Sequence, residues 1–101
     1  MNKIQYDMEK KICILYLDGI ISLKSAMALK EQIILEANSG FLDIILDFNQ
    51  NVHVDSSGIG AIFNSQKYLV EKKGSLKLKN LGHETLSILK IANLDKLLTI
   101  I

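Results

Sequence analysis

The sequence predicts an α/β fold, and three observations carry that reading. Residues 12–17 and 41–48 are near-continuous apolar runs of strand length, stretches with helical spacing of apolar residues follow each of them, and the chain opens on two strand-like segments joined by a short turn. With 101 residues, 49% hydrophobic and 23% charged, the composition is that of one ordinary folded domain, expected to span residues 1–101.

The elements follow in order. Residues 3–8 and 11–17 read as a hairpin turning at Glu9-Lys10. The second of these strands (Ile12, Cys13, Ile14, Leu15, Tyr16, Leu17) is apolar enough to be expected in a sheet interior, covered on both faces. It ends at Asp18-Gly19. After Ile20-Ile21, Ser22 or Ser25 can cap a helix whose apolar face would hold Ala26, Met27, Leu29, Ile33, Ile34 and Ala37. Lys30 interrupts that face and would have to snorkel to its edge. Asn38-Ser39-Gly40 stops the helix, and residues 41–48 give a buried strand, which completes a β-α-β crossover. A second helix over about 57–73 places Ile59, Ile62, Phe63, Gln66, Leu69 and Val70 on one side, with Gly74 as its stop. Residues 75–79 alternate, Leu76 and Leu78 inward and Lys77 and Lys79 outward, as a half-buried strand does. A short helix over about 84–91, a left-handed cap at Asn93 and a last strand within 97–101 complete the chain.

Composition removes several function classes. All twelve basic residues are lysine, so the bidentate fork that reads guanine or clamps phosphate is missing, which argues against direct nucleic-acid recognition. One cysteine and two histidines are too few for a structural zinc site, and Cys13 reads as a buried, inert thiol. No apolar stretch reaches the length of a membrane span, and the N-terminus is no signal peptide; a cytoplasmic protein is expected. Lys67, Lys72, Lys73, Lys77 and Lys79 read as a solvated helix end and strand face.

One segment stands apart: Asn51-Val52-His53-Val54-Asp55-Ser56-Ser57-Gly58-Ile59-Gly60, at the change from strand to helix. In open α/β sheets ligands and partners act at that edge. Structurally, Asp55 or Ser56 would cap the helix and the glycines would permit close packing. Functionally, free N–H groups and the positive end of the helix dipole would favour a phosphate here. Enzymatic patterns fail. Neither Ser56 nor Ser57 sits in Gly-x-Ser-x-Gly, Gly58-Ile59-Gly60 is followed by Phe63 where a dinucleotide fingerprint needs a small residue, and His53 and His83 are too few for a triad or a metal site. No catalytic residue, metal or cofactor is expected.

The stretch Val-His-Val-Asp-Ser-Ser-Gly-Ile-Gly-Ala at 52–61 resembles the signature of STAS domains, the family of sulfate transporters and bacterial anti-sigma factor antagonists. The likeness extends to the opening hairpin, Gly19, Leu46-Asp47-Phe48, Gly74 and Ala92-Asn93-Leu94-Asp95-Lys96-Leu97. The resemblance implies a four- or five-stranded mixed sheet with helices packed mainly on one face. It also implies an anti-sigma factor antagonist that binds a serine-kinase anti-sigma factor and is switched off when that kinase phosphorylates Ser57, with a serine phosphatase as the opposing partner. Asp55, Ser56, Gly58, Ile59 and Gly60 would then belong to the partner-binding surface. The sequence departs from the antagonist pattern at Gly19-Ile20-Ile21-Ser22, where acidic residues, as in Gly-Glu-Leu-Asp, are frequent. The alternative role within the family is a non-switching scaffold or an accessory subunit of a signalling or lipid-transport complex.

Overall fold

The computed structural model describes residues 3–50 and 52–101; Asn51, the first residue of the segment singled out above, lies outside them. The chain runs β1 (Lys3–Asp7), β2 (Ile12–Tyr16), β3 (Ile20–Ile21), α1 (Leu23–Asn38), β4 (Asp43–Asp47), β5 (His53–Val54), α2 (Ser56–Glu71), β6 (Ser75–Lys79), α3 (His83–Ile91), a 3-10 turn (Leu94–Lys96) and β7 (Thr99–Ile100). The main sheet has the order β1-β2-β4-β6-β7. Its first pair is the antiparallel hairpin, with Gln5 opposite Ile14; the others are parallel, with Ile14 opposite Ile45 and Ile45 opposite Lys77. The expected five-stranded mixed sheet is present.

The core lies between one face of this sheet and the helices. Cys13 and Leu15 of β2, Ile44 and Leu46 of β4, and Leu76 and Leu78 of β6 point into it and meet Leu29 and Ile33 of α1, Ile62 and Leu69 of α2, and Leu89 of α3. The other face is open. Ile12, Ile14, Tyr16 and Ile45 are only half-buried and Lys77 is exposed, so β2 is central in the ladder yet covered on one face, not on both as its apolar run suggested. Apolarity of a strand reports its place in the hydrogen-bonded order as well as its cover, and β2 is apolar for the first reason.

Helix α1 corrects a second expectation. Its buried stripe is Ala26, Leu29, Ile33, Glu36 and Ala37, while Met27 is exposed and Ile34 half-buried. Glu36 takes a core position because its carboxylate is paired: Tyr6 Oη donates to Glu36 Oε1 at 2.8 Å and Gln32 Nε2 at 3.0 Å. A buried carboxylate without such donors would be strongly unfavourable. The hydrogen bond to Glu36, with burial adding to it, pushes the Tyr6 phenol up to about 12. Burial, with Glu36 adding to it, pushes the Cys13 thiol up to about 12 as well, which agrees with an inert cysteine.

On α2, Val70 is exposed rather than on the packed side. The helix ends at Glu71, and the left-handed residue after it is Lys73 (φ 67°), whereas Gly74 serves close approach. A Cβ at position 74 would collide with the Leu42 carbonyl oxygen. Asn93 adopts the expected left-handed conformation (φ 59°).

Between β4 and β5 the chain is re-aimed. Asp47 is buried and accepts from the Asn49 amide at 2.9 Å and from Asn80 Nδ2 at 3.1 Å. Asn49 and Gln50 are both left-handed, a conformation costing a non-glycine residue about 1 kcal/mol or more. The Asp47 and Asn80 contacts hold this turn, which carries the chain off the main sheet toward a second, smaller ladder.

Candidate functional site

That ladder is built from β3 and β5, two residues each, with Ile20 opposite His53 and Ile21 opposite Val54 in parallel. It was not foreseen, because a two-residue strand has no periodicity to read. Each strand leads directly into a long helix, so α1 and α2 start side by side and run in the same direction.

Asp55 is the N-cap of α2, with extended backbone (φ −91°, ψ −174°) and its Oδ1 accepting from the Gly58 amide at 3.0 Å. One of the unpaired donors at the helix start is thereby satisfied. Of the two residues open to the role, Asp55 takes it. Ser56 is exposed and Ser57 half-buried in the first turn, and among the described residues neither hydroxyl makes a hydrogen bond within the chain.

The two glycines of the segment differ. Gly58 is buried where α2 crosses the small ladder; a Cβ there would stand 2.5 Å from Val54 Cγ1 and 2.7 Å from the Ile21 carbonyl oxygen. At Gly60 a Cβ would meet nothing within 4 Å, so packing does not require this glycine. Ile59 is half-buried against the core. His53 is exposed and its Nδ1 lies 3.7 Å from Glu84 Oε2, whereas His83 opens α3; the structure does not bring the histidines and Cys13 together. Among the described residues no three potential metal-ligating side chains are grouped, and no helix is long and apolar enough to cross a membrane.

The family model for the STAS domain matches residues 3–101. The chain belongs to the STAS family. A comparison with curated proteins found no significant match. Among solved structures, this STAS domain is similar to a crystal structure of a Thermotoga maritima protein provisionally classed as an anti-sigma factor antagonist. The TM-score is 0.86 at 22% identity, covering 97% of this chain and 83% of that one. It is also similar to the anti-sigma factor antagonist SpoIIAA in its unphosphorylated form (TM-score 0.72, 18% identity, 98% and 87% covered). The phosphorylated form of SpoIIAA, described as a Bacillus cell fate determinant, gives 0.71 at 19% identity, with 98% and 91% covered. At these identities the likeness establishes the fold.

Two features of the STAS domain around Ser57 escaped the sequence reading. The first is apolar: Ile20 and Leu23 are each 65% exposed and Met27 58%, all at or near the start of α1. Of these, Ile20 lies in the Gly19-Ile20-Ile21-Ser22 stretch where the sequence departs from the acidic antagonist pattern. The second is a groove of about 290 Å³ between α1 and α2. Its floor is small (Ala26, Gly60, Ala61), Leu23 and Met27 border it, and Ser57, Lys30 and Asn64 also line it. The signal in the sequence was Lys30 itself, a charge in an otherwise apolar helix face. It lies on the groove.

Proposed function

We propose that this STAS domain is an anti-sigma factor antagonist which docks, through the start of α2, onto an anti-sigma factor that is also a serine kinase, and is switched off by phosphorylation of Ser57. The observation that carries the reading is the division of labour at the helix start. Asp55 does the capping, and among the described residues the Ser57 hydroxyl is left without an internal partner. In the kinase reaction Ser57 Oγ would attack the γ-phosphorus of ATP, the bond from the β–γ bridging oxygen to that phosphorus would break, ADP would leave, and the hydroxyl proton would pass to a base of the kinase. A serine phosphatase would hydrolyse the ester and restore the binding form.

The physical switch needs no change of fold. A phosphoserine carries about −1.5 to −2 charges at neutral pH, which must be desolvated where two proteins meet. A hundredfold loss of affinity corresponds to about 2.8 kcal/mol, within reach of one phosphate in the docked surface. Asp55, Ser56, Gly58, Ile59 and Gly60 make up or support the docking surface around Ser57, and neither a metal nor a cofactor enters this role. The absence of arginine speaks against direct contact with nucleic acid.

The test is incubation with serine-kinase anti-sigma factors and ATP, read by intact mass and phosphopeptide mapping, with calorimetric titration of both forms. Phosphate on Ser57 with weakened binding is the expected result; modification confined to Ser56 defeats the assignment. A second reading, a non-switching scaffold in a signalling or transport complex, draws on Ile20, whose exposed apolar side chain replaces an acidic one. Binding of a partner that is the same for Ser57 and Ser57→Asp would favour it.

A further inference from the structure

The groove between α1 and α2 has one charged side chain among the residues that line it, Lys30. Among the described residues Lys30 makes neither an ion pair nor a hydrogen bond. Its helical neighbours three and four positions away are Ala26, Met27, Ile33 and Ile34, so α1 supplies no carboxylate to it. The groove residues of α2 are Ser57, Gly60, Ala61 and Asn64, none of them acidic. A half-buried lysine with no counter-ion among the described residues therefore shares a groove with the proposed phosphoacceptor.

We propose that Lys30 is the internal counter-ion of phosphorylated Ser57, drawing the phosphoryl group into the α1–α2 groove. This rests on the reading of Ser57 as the modified residue. Three points of geometry support it. The helices start side by side, so Ser57 lies toward the open end of the groove near Leu23, and Lys30 lies deeper, toward Asn64. The seven residues from Ser57 to Asn64 rise about 10 Å, and helical side chains lean toward the N-terminus, so the long Lys30 stem reaches back along the groove toward the end where Ser57 lies. The Asp55 carboxylate already takes the Gly58 amide, so that helix-start donor is not open to a phosphate on Ser57. Lys24, the other lysine at this end of α1, is exposed and does not line the groove.

A phosphate held by Lys30 would occupy the groove beside Leu23 and Met27 as well as adding charge, so modification would both fill and charge the same surface.

The experiment installs phosphoserine at position 57 by genetic incorporation, which makes it independent of any kinase, and follows the phosphate by ³¹P NMR across pH. The usual second pKa of phosphoserine is about 6, and a paired cation lowers it. In Lys30→Gln that pKa is expected to rise by about 0.5 relative to the wild-type sequence. Lys30→Arg should keep the wild-type value and Lys24→Gln should not move it. Thermal unfolding of the unphosphorylated variants confirms that each is folded. Equal titration of the wild type and Lys30→Gln, or a shift that follows Lys24 instead, overturns the pairing. If a kinase modifies Ser57 and the titrations are equal, the counter-ion inference alone fails; if the titrations differ but no kinase modifies Ser57, the switch fails and the pairing stands.

Discussion

The two long helices begin alike and end up differently equipped. Both are 16 residues long and each follows one strand of the β3–β5 ladder. At α1 the N-cap is Ser22, and the Ser25 hydroxyl accepts from the Ser22 amide at 2.9 Å while donating to the Ile20 carbonyl at 2.8 Å. The α1 serine is consumed by the helix start. At α2 the capping is done by Asp55, and the serines that follow it make no hydrogen bond among the described residues. A hydroxyl free of structural duty can be changed chemically at little expense to the fold, whereas Ser25 cannot. The role proposed for Ser57 would thus be made available by the aspartate two residues before it.

The strongest way to break the comparison is at Gly58. Gly58→Val would drive a branched side chain into Val54 and the Ile21 carbonyl, separating α2 from its ladder, and a loss of about 3 kcal/mol or more is expected. For a domain of this size the melting temperature should fall by more than about 10 °C. Unfolding scans check it, and a shift of only a few degrees would show that α2 can slide.

Next is the far end of α1, where Tyr6→Phe removes a donor from buried Glu36. An expected loss of about 1–2 kcal/mol is measurable by urea titration. Because the phenol of Tyr6 and the thiol of Cys13 are both raised to about 12, from 10.0 and 9.0, the folded protein holds protons that the unfolded chain releases first. Their contribution is complete below about pH 9 and is lost as pH rises toward 12. Alkaline unfolding should therefore be less steep in Tyr6→Phe.

Asp55→Ala sharpens the comparison directly: loss of the cap should lower stability by about 1 kcal/mol, and Ser25→Ala at α1 should lower it similarly. Ser57→Ala and Ser57→Asp should each stay within about 1 kcal/mol of the wild type by thermal unfolding, although Ser57→Asp should bind the kinase partner far more weakly. The smallest effect, and of opposite sign, is at Gly60. Gly60→Ala meets open space within a helix and should gain up to about 1 kcal/mol.

Much of this was legible beforehand, and for identifiable reasons. The hairpin, the crossover and the alternation at 75–79 were set by runs long enough to show their period, and Asn93 was readable as a left-handed cap. The Asp-Ser-Ser-Gly segment stood out by its residue types. What stayed hidden depended on partners distant in sequence. Glu36 is inside because of Tyr6, thirty residues away, and the Met27 face of α1 is turned outward along a groove with α2. Gly74 was read as a helix stop, yet its need is set by Leu42 on another segment. No local pattern encodes such facts.

The β3–β5 ladder carries a consequence for how the molecule moves. The amides of His53 and Asp55 are held by the carbonyls of Gly19 and Ile21 at 3.2 Å each, in a ladder two residues long and separate from the main sheet. Breaking those bonds disturbs none of the β2–β4–β6 pairing, and what holds the strip to the rest of the domain is the packing of Ile21 and Val54 in the core. In hydrogen exchange these two amides should trade with solvent well before those of β4. The ground beneath Ser57 is then expected to open at less than the free energy of global unfolding, with the burial of Ile21 and Val54 setting what that opening costs.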